Sequence, residues 1–435
     1  MNREILHIAL PAIVTNITIP LLGLVDTAIA GHLSGGGALY ISAVAVGAMM
    51  FNLIYWNFGF LRMGTSGLTA QAYGRGNKAE AAALLGHAAA LSLLIALGII
   101  GLQWPLQRIT LAAIGAESDV EALARTYFYI CVWGAPPTLL MMAIKGWLLG
   151  MQDSKRAMHI SIGVNVVNIL LSLTAVVVLG LGFKGIALGT VVAQWIGLGY
   201  SLWLIRRHYG AITALLTVND AFRFTGASRF FKVNTHIFIR STLMMVQALC
   251  FTAISARSGY LTLAVNTLIL HMAILFSYFM DGLAFAGEAI TGKYFGQSNV
   301  AAEHKCVKHL MGWALALTAV CTAVYGIFPE EIFRLLTDDA RVVHSALRYS
   351  LWCAVIPVAG MAAFVWDGVF IGLSLTRHMT TAVGIALGIF FLIYALMYQP
   401  WGNHALWLAY VGFLGTRSAV QTVQYALLRR RLAHQ

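Results

Sequence analysis

Apolar stretches long enough to cross a bilayer follow one another along almost the whole chain, broken by short polar connectors. A spanning helix needs about 20 apolar residues to cross roughly 30 Å of hydrocarbon. The pattern predicts twelve of them, near 5–30, 38–62, 80–103, 121–143, 157–180, 185–206, 229–255, 261–285, 304–328, 341–365, 379–398 and 404–427. Hydrocarbon holds no water to satisfy backbone groups, so a spanning segment must bond to itself as a helix or close into a barrel. The short alternating segments of a barrel are absent, which leaves an all-α membrane protein. The most polar connector has Arg206, Arg207, Arg223 and Arg229 around it and separates two sets of six helices. The expected domains are an amino-terminal six-helix lobe over 1–206, a cytoplasmic linker over 207–228 and a carboxy-terminal six-helix lobe over 229–435.

The two sets share a repeat. Tyr73-Gly74-Arg75-Gly76-Asn77 recurs as Phe295-Gly296-Gln297-Ser298-Asn299, an offset of 222 (295 minus 73). Lys145-Gly146-Trp147-Leu148-Leu149-Gly150 recurs at the same offset as Asp367-Gly368-Val369-Phe370-Ile371-Gly372, and Lys155 falls on Arg377. An internal repeat of half an apolar chain is how many secondary transporters are built. Six is even, so both halves enter the membrane the same way up. The expectation is a pseudo-two-fold axis along the membrane normal with a cavity between the lobes. The spacing of Gly146 and Gly150, like that of Gly368 and Gly372, permits close helix packing.

Composition fits this picture: the chain is 60% hydrophobic and 10% charged, against about 25% charged in a soluble domain. The net charge of +12 invites a nucleic-acid reading, but its distribution accounts for it otherwise. With the amino terminus in the cytoplasm, twenty of the 28 Lys and Arg residues fall on the cytoplasmic side, Arg417 and Arg431 among them. Seven fall outside, and Arg240 lies inside a helix. That bias puts both termini in the cytoplasm and leaves no need for nucleic acid. The start, Met1-Asn2-Arg3-Glu4, lacks a basic n-region and a clear cleavage site, so a retained first helix is expected. The five cysteines are scattered through apolar segments and read as packing residues, with no disulfide framework and no metal-ligand spacing.

Asp26 is the sharpest chemical feature. A carboxylate inside an apolar helix is costly unless neutral, paired or facing water, and removal from water favours its protonated form, which makes it a candidate proton carrier. The competing reading is an Asp at a helix end. Asn165, Asn168 and Ser172 share one face of helix five, and Thr190 and Gln194 lie four apart on helix six. They either join Asp26 in one pocket or form ordinary interhelical polar contacts. The second half carries Arg240, Asp281, Glu288 and Asp367. An Arg240–Asp281 pair at similar depth would either gate or merely neutralise two buried charges. Met49, Met50, Met141, Met272 and Met280, with nearby aromatics, offer either an adaptable apolar cavity or plain packing.

Other motifs exclude more than they suggest. Gly180-Leu-Gly182-Phe-Lys-Gly185 fits a dinucleotide fingerprint, but no strand precedes it and it lies in an inter-helix loop. There is no Walker A sequence, no His-Glu-x-x-His and no Gly-x-Ser-x-Gly. No cofactor, metal site or catalytic residue is expected, and a membrane-embedded enzyme lacks a nucleophile–base pair.

With these residues in view, the chain resembles the multidrug and toxic compound extrusion family, and within it the DinF branch. The resemblance rests on Pro11…Pro20-Leu-Leu-Gly-Leu-Val-Asp26-Thr-Ala, Gly67-Leu-Thr-Ala-Gln-Ala-Tyr-Gly74, Gly146-Trp-Leu-Leu-Gly150, Asn165…Asn168, Ile239-Arg240-Ser, Asp281-Gly282, Glu288-Ala, Asp367-Gly368 and Gly402-Asn-His-Ala-Leu-Trp. It covers essentially the whole chain. The family implies export of amphipathic, often cationic compounds from the bacterial inner membrane, driven by proton or sodium entry, with the lipid bilayer as environment. A monomer is expected. Position by position, the resemblance implies that Asp26 is the coupling carboxylate, Pro11 a bending point of helix one, and Asn168 and Thr190 polar members of the first-lobe site. One position departs: related sequences commonly read Asn-x-x-x-Asp on helix five, and here Ser172 stands in place of the second carboxylate. A single carboxylate among neutral oxygens is a weak cage for a hard cation, so proton coupling through Asp26 is favoured and sodium is the runner-up. The same fold exporting or flipping a lipid-linked or anionic metabolite is the alternative that Arg240 keeps open.

Overall fold

The computed structural model describes residues 1–33, 37–216 and 227–433. Among them every regular element is helical. In chain order these are α1 (Asn2–Gly31), α2 (Gly37–Tyr55), α3 (Phe60–Gly74), α4 (Lys78–Gly101), α5 (Gln103–Ile114), α6 (Ser118–Cys131), α7 (Ala135–Gly150), α8 (Ser154–Leu173) and α9 (Gly182–Thr213). Then follow α10 (Ser228–Arg257), α11 (Tyr260–Gly296), α12 (Val300–Ile327), α13 (Pro329–Leu336), α14 (Ala340–Leu347), α15 (Ser350–Gly372), α16 (Thr376–Trp401) and α17 (Asn403–Ala433). Short 3-10 turns link α2 to α3 and α6 to α7, and a π-helical turn, Thr174–Val178, extends α8. Eleven spans among the described residues are long and apolar enough to cross a membrane, with α2–α3 and α6–α7 each counting as one. α17 is of comparable length, 31 residues, and brings the number to the twelve expected.

Four expected helices needed correction. The spans placed at 38–62, 121–143 and 261–285 continue to Gly74, Gly150 and Gly296. The stretch Gly64-Thr65-Ser66-Gly67 has a loop-like composition yet is helical and buried. Small residues let neighbouring helix backbones approach, which outweighs their poor helix propensity. The span placed at 341–365 is instead α15, and Ala340–Leu347 is a separate short helix capped by the Asp339 side chain. Its Arg341, His344 and the following Arg348 make that turn too polar to enter hydrocarbon. The expected linker 207–228 overlaps the end of α9, which runs to Thr213. Residues 217–226, with Arg223, and the Arg431 side chain lie outside the described residues.

Contacts divide the chain into two compact units, Met1–Ile13 with Thr235–Gln435, and Val14–Asn234. Both divisions fall inside helices, α1 and α10. In the first of these units the opening turns of α1 are held by Glu4, which accepts from Lys293 Nζ at 2.6 Å and Tyr294 Oη at 3.0 Å. A Cβ on Gly282 would stand 3.0 Å from the Ala9 carbonyl. In the same unit fully buried Trp407 donates from Nε1 to Asn266 Oδ1 at 2.9 Å. In the unit Val14–Asn234, fully buried Trp147 donates to the Ala81 carbonyl at 2.8 Å.

The repeat is present in the backbone of each unit. Gly76 and Ser298 take φ of 69° and 55°, Gln152 and Ser374 take 65° and 58°, and Gly180 and Gly402 take 63° and 52°. Each pair is separated by the same 222 positions. Left-handed backbone ends the preceding helix sharply, and it holds even where serine or glutamine stands in glycine's place. Asn77 and Asn299 cap the following helices, each accepting from a backbone N–H at 3.0 Å. Helix packing repeats as well. A Cβ on Gly146 would lie 2.3 Å from the Arg62 carbonyl oxygen and on Gly150 2.6 Å from that of Ser66. On Gly368 it would lie 2.1 Å from the Ala284 oxygen, and on Gly372 2.6 Å from that of Glu288. Replacing Gly150 or Gly372 by valine is therefore expected to cost about 1–3 kcal/mol or more. The check is a lowered thermal midpoint in detergent, with Gly98→Ala as control, since a Cβ there meets nothing within 4 Å.

Candidate functional site

Asp26 lies on α1 between Val25 and Ile29, which pack into an apolar cluster with Ala43, Val44, Tyr127, Cys131, Phe183 and Ile186. Its side chain is buried, at 8% exposure, and Oδ1 has no hydrogen-bond partner among the described residues. Although it lies in the last two turns of α1, this carboxyl group is shielded from solvent. α6 brings Tyr127 and Cys131 into the same cluster beside it. Tyr127 also interacts with Thr190 of α9.

α8 and α9 build the polar side. Ser172 Oγ donates to Asn168 Oδ1 at 3.2 Å and lies 3.5 Å from the Ile186 carbonyl. Thr190 Oγ1 donates to that same carbonyl at 3.0 Å. The helices approach this closely because Gly189 faces Ser172, where a Cβ would stand 2.5 Å from Oγ. Just beyond, the π-helical turn at Thr174–Val178 interrupts the regular backbone, a feature frequent at functional sites. Ser172 and Thr190 thus meet at one carbonyl, Asn168 joins them through Ser172, and Tyr127 links Thr190 to the surroundings of Asp26. Asn165 is half-buried and turns elsewhere, donating to Thr18 Oγ1 of α1 at 3.3 Å. Pro11 and Pro20 lie within α1, which is helical throughout.

Sequence reasoning missed Tyr127 and Cys131. An aromatic and a cysteine in an apolar helix carry no signal of their own, and they meet Asp26 only through the packing of α6. Gly180 sits in the turn between α8 and α9, whereas Gly182 and Gly185 of the same motif already belong to α9, further along than the expected loop. Of the methionines, Met50, Met141, Met272 and Met280 are buried in the core, whereas Met49 is 54% exposed. Among the described residues no three His, Cys, Asp or Glu side chains gather as a metal site would require.

The other unit holds a separate charged cluster. Similar depth in neighbouring helices suggested Asp281 as the partner of Arg240; the ion pair present joins Arg240 to Asp367. Arg417 donates to the same oxygen, Oδ2, at 2.7 Å. Gln421 donates to Oδ1 at 2.9 Å. Arg417, counted above among cytoplasmic loop charges, is instead 1% exposed in the middle of α17. Its i, i+4 spacing with Gln421 in an otherwise apolar helix was the available signal. Glu288 is also buried, at 1%, with its backbone carbonyl at the α11–α15 crossing beside Gly372. Asp281 lies near Tyr278 on α11.

Comparison with known proteins bears on all of this. The MatE family model matches twice, over residues 11–174 and 237–397. The DNA damage-inducible protein F of Escherichia coli is 33% identical over 425 residues, covering 96% of this chain and 90% of that protein. A probable multidrug resistance protein NorM of Thermotoga maritima is 23% identical over 360 residues, 79% of this chain and 74% of that one. The bent form of the Vibrio cholerae MATE transporter VcmN shares the fold with a TM-score of 0.84 at 16% identity, covering 99% of this chain and 97% of that one. The chain belongs to the MatE family, the multidrug and toxic compound extrusion transporters, and is a membrane transporter with no enzymatic role.

Proposed function

We propose that this protein exports amphipathic, often cationic small molecules in exchange for protons, with Asp26 as the group for which substrate and proton compete. The observation that carries the reading is a buried carboxylate in an apolar helix with one oxygen unbonded. Ionised, Asp26 is an electrostatic partner for a cation in a low-dielectric site. Protonated, it carries no charge and gains a donor, so the attraction is lost. One carboxylate that cannot serve both ligands at once is the minimum that exchange requires. Protonation from the outer side releases the substrate outward, and proton loss to the cytoplasm resets the site. Pro11 removes a backbone donor from α1 and is the proposed bending point. Asn168, Ser172 and Thr190 supply neutral oxygens and hydroxyls to the same region, and Asn165 ties α8 to α1.

Sodium is the second reading, and the donor set weighs against it. Sodium favours several hard oxygen ligands, and Ser172 stands where the family commonly has a second carboxylate. The likeness to the probable multidrug resistance protein NorM of Thermotoga maritima supports a drug-like cargo. The excess of Lys and Arg in alternate connectors supports a placement in the bacterial inner membrane with both termini in the cytoplasm.

Three outcomes follow. Asp26→Asn is expected to reduce efflux of cationic dyes to the level of cells without the protein while leaving membrane expression intact; normal efflux by this variant ends the proposal. Proteoliposomes given a proton gradient alone should transport, and those given a sodium gradient alone should not. Ser172→Asp restores the second carboxylate and is expected to introduce sodium-dependent transport, read in the same vesicles.

A further inference from the structure

The cluster in the unit of Met1–Ile13 and Thr235–Gln435 has more positive charge than its structural task needs. One arginine would neutralise Asp367 and tie α15 to a neighbouring helix. Here two do so on the same oxygen, Arg240 from α10 and Arg417 from α17. Gln421 already satisfies the other oxygen. Two guanidinium groups thus share one carboxylate, and Arg417 also lies over the Phe413 ring, 5.5 Å from its centroid. All three charged side chains are buried, at 6%, 8% and 1% exposure for Arg240, Asp367 and Arg417. Both Nε–H groups are buried without an acceptor among the described residues. An uncompensated charge and two orphan donors at membrane depth are expensive, and such groups persist where a ligand satisfies them. Paired guanidinium forks match carboxylate and phosphate geometry. The repeat offers no inherited reason for the cluster: 222 positions earlier stand Thr18, Lys145 and Trp195.

We propose that Arg240 and Arg417 form an anion-binding site, for which the Asp367 carboxylate is the resting occupant and the carboxylate or phosphate group of a transported amphiphile the competing one. An anion that takes the guanidiniums frees Asp367 and unties α15 from α10 and α17. The site thereby adds anionic and zwitterionic compounds to the substrate range, and it does not depend on proton coupling at Asp26.

The test is a thermal-shift titration of the purified full-length protein with benzoate, against the neutral isostere benzamide, at constant ionic strength. Wild type should show a saturable rise in Tm with benzoate only. Asp367→Asn removes the internal competitor and should bind benzoate at least about tenfold more tightly. Arg240→Lys and Arg417→Lys keep the charge and lose the fork, and each should weaken benzoate binding about tenfold or more. Asp26→Asn should leave the benzoate response unchanged, which separates this site from the coupling reading. Wild type and Asp367→Asn responding equally to benzoate and benzamide overturns the proposal. So does an undiminished benzoate response in both lysine variants.

Discussion

The absence of water in the hydrocarbon layer governs every level of this protein. It forces the backbone into helices, because an unpaired N–H or C=O there has no other partner. It also removes the usual hydrophobic drive for helices to associate, leaving close packing and internal polar bonds. The glycines at 146, 150, 368 and 372 answer the first need by letting neighbouring backbone carbonyls come within van der Waals contact. The bonds from Trp147 to Ala81 and from Trp407 to Asn266 answer the second. In such a setting each ionisable group must be satisfied from within, and the way it is satisfied decides what it can do.

The two units solve that problem oppositely. In Val14–Asn234 the Asp26 carboxylate sits beside an apolar cluster that includes Tyr127 and Cys131, and its Oδ1 has no hydrogen-bond partner among the described residues. In the other unit a carboxylate, Asp367, is held by two guanidiniums and an amide. A poorly satisfied anion is a group whose charge state can change with its surroundings. A doubly clamped one is fixed unless another anion replaces it. The repeated turns and glycine crossings show that this contrast is laid on a common scaffold: at the shared offset Asp26 falls on Ala248 and Asp367 on Lys145.

Some of the site was legible beforehand because helical spacing puts residues four apart on one face. Asn168 and Ser172 bond to each other as that spacing implies. Asn165 has the same spacing credentials but bonds to Thr18, because a face is wide enough for two neighbours and periodicity does not say which helix each residue meets. The ends of spans were misjudged at α3 and α7, where small or polar residues serve packing and mimic the composition of a loop.

The amino-acid sequence by itself determined the number of spanning helices, the repeat and the turns that the repeat shares. Those properties depend on local composition and on residues a few positions apart. The tertiary structure alone decided that Tyr127 and Cys131 come up to Asp26, that Arg240 and Arg417 converge on Asp367, and that Arg417 is buried at all. These partners lie between 50 and 127 positions apart where they bond on Asp367. Only the packing of α6 on α1, or of α10 and α17 on α15, selects them from many equally apolar alternatives.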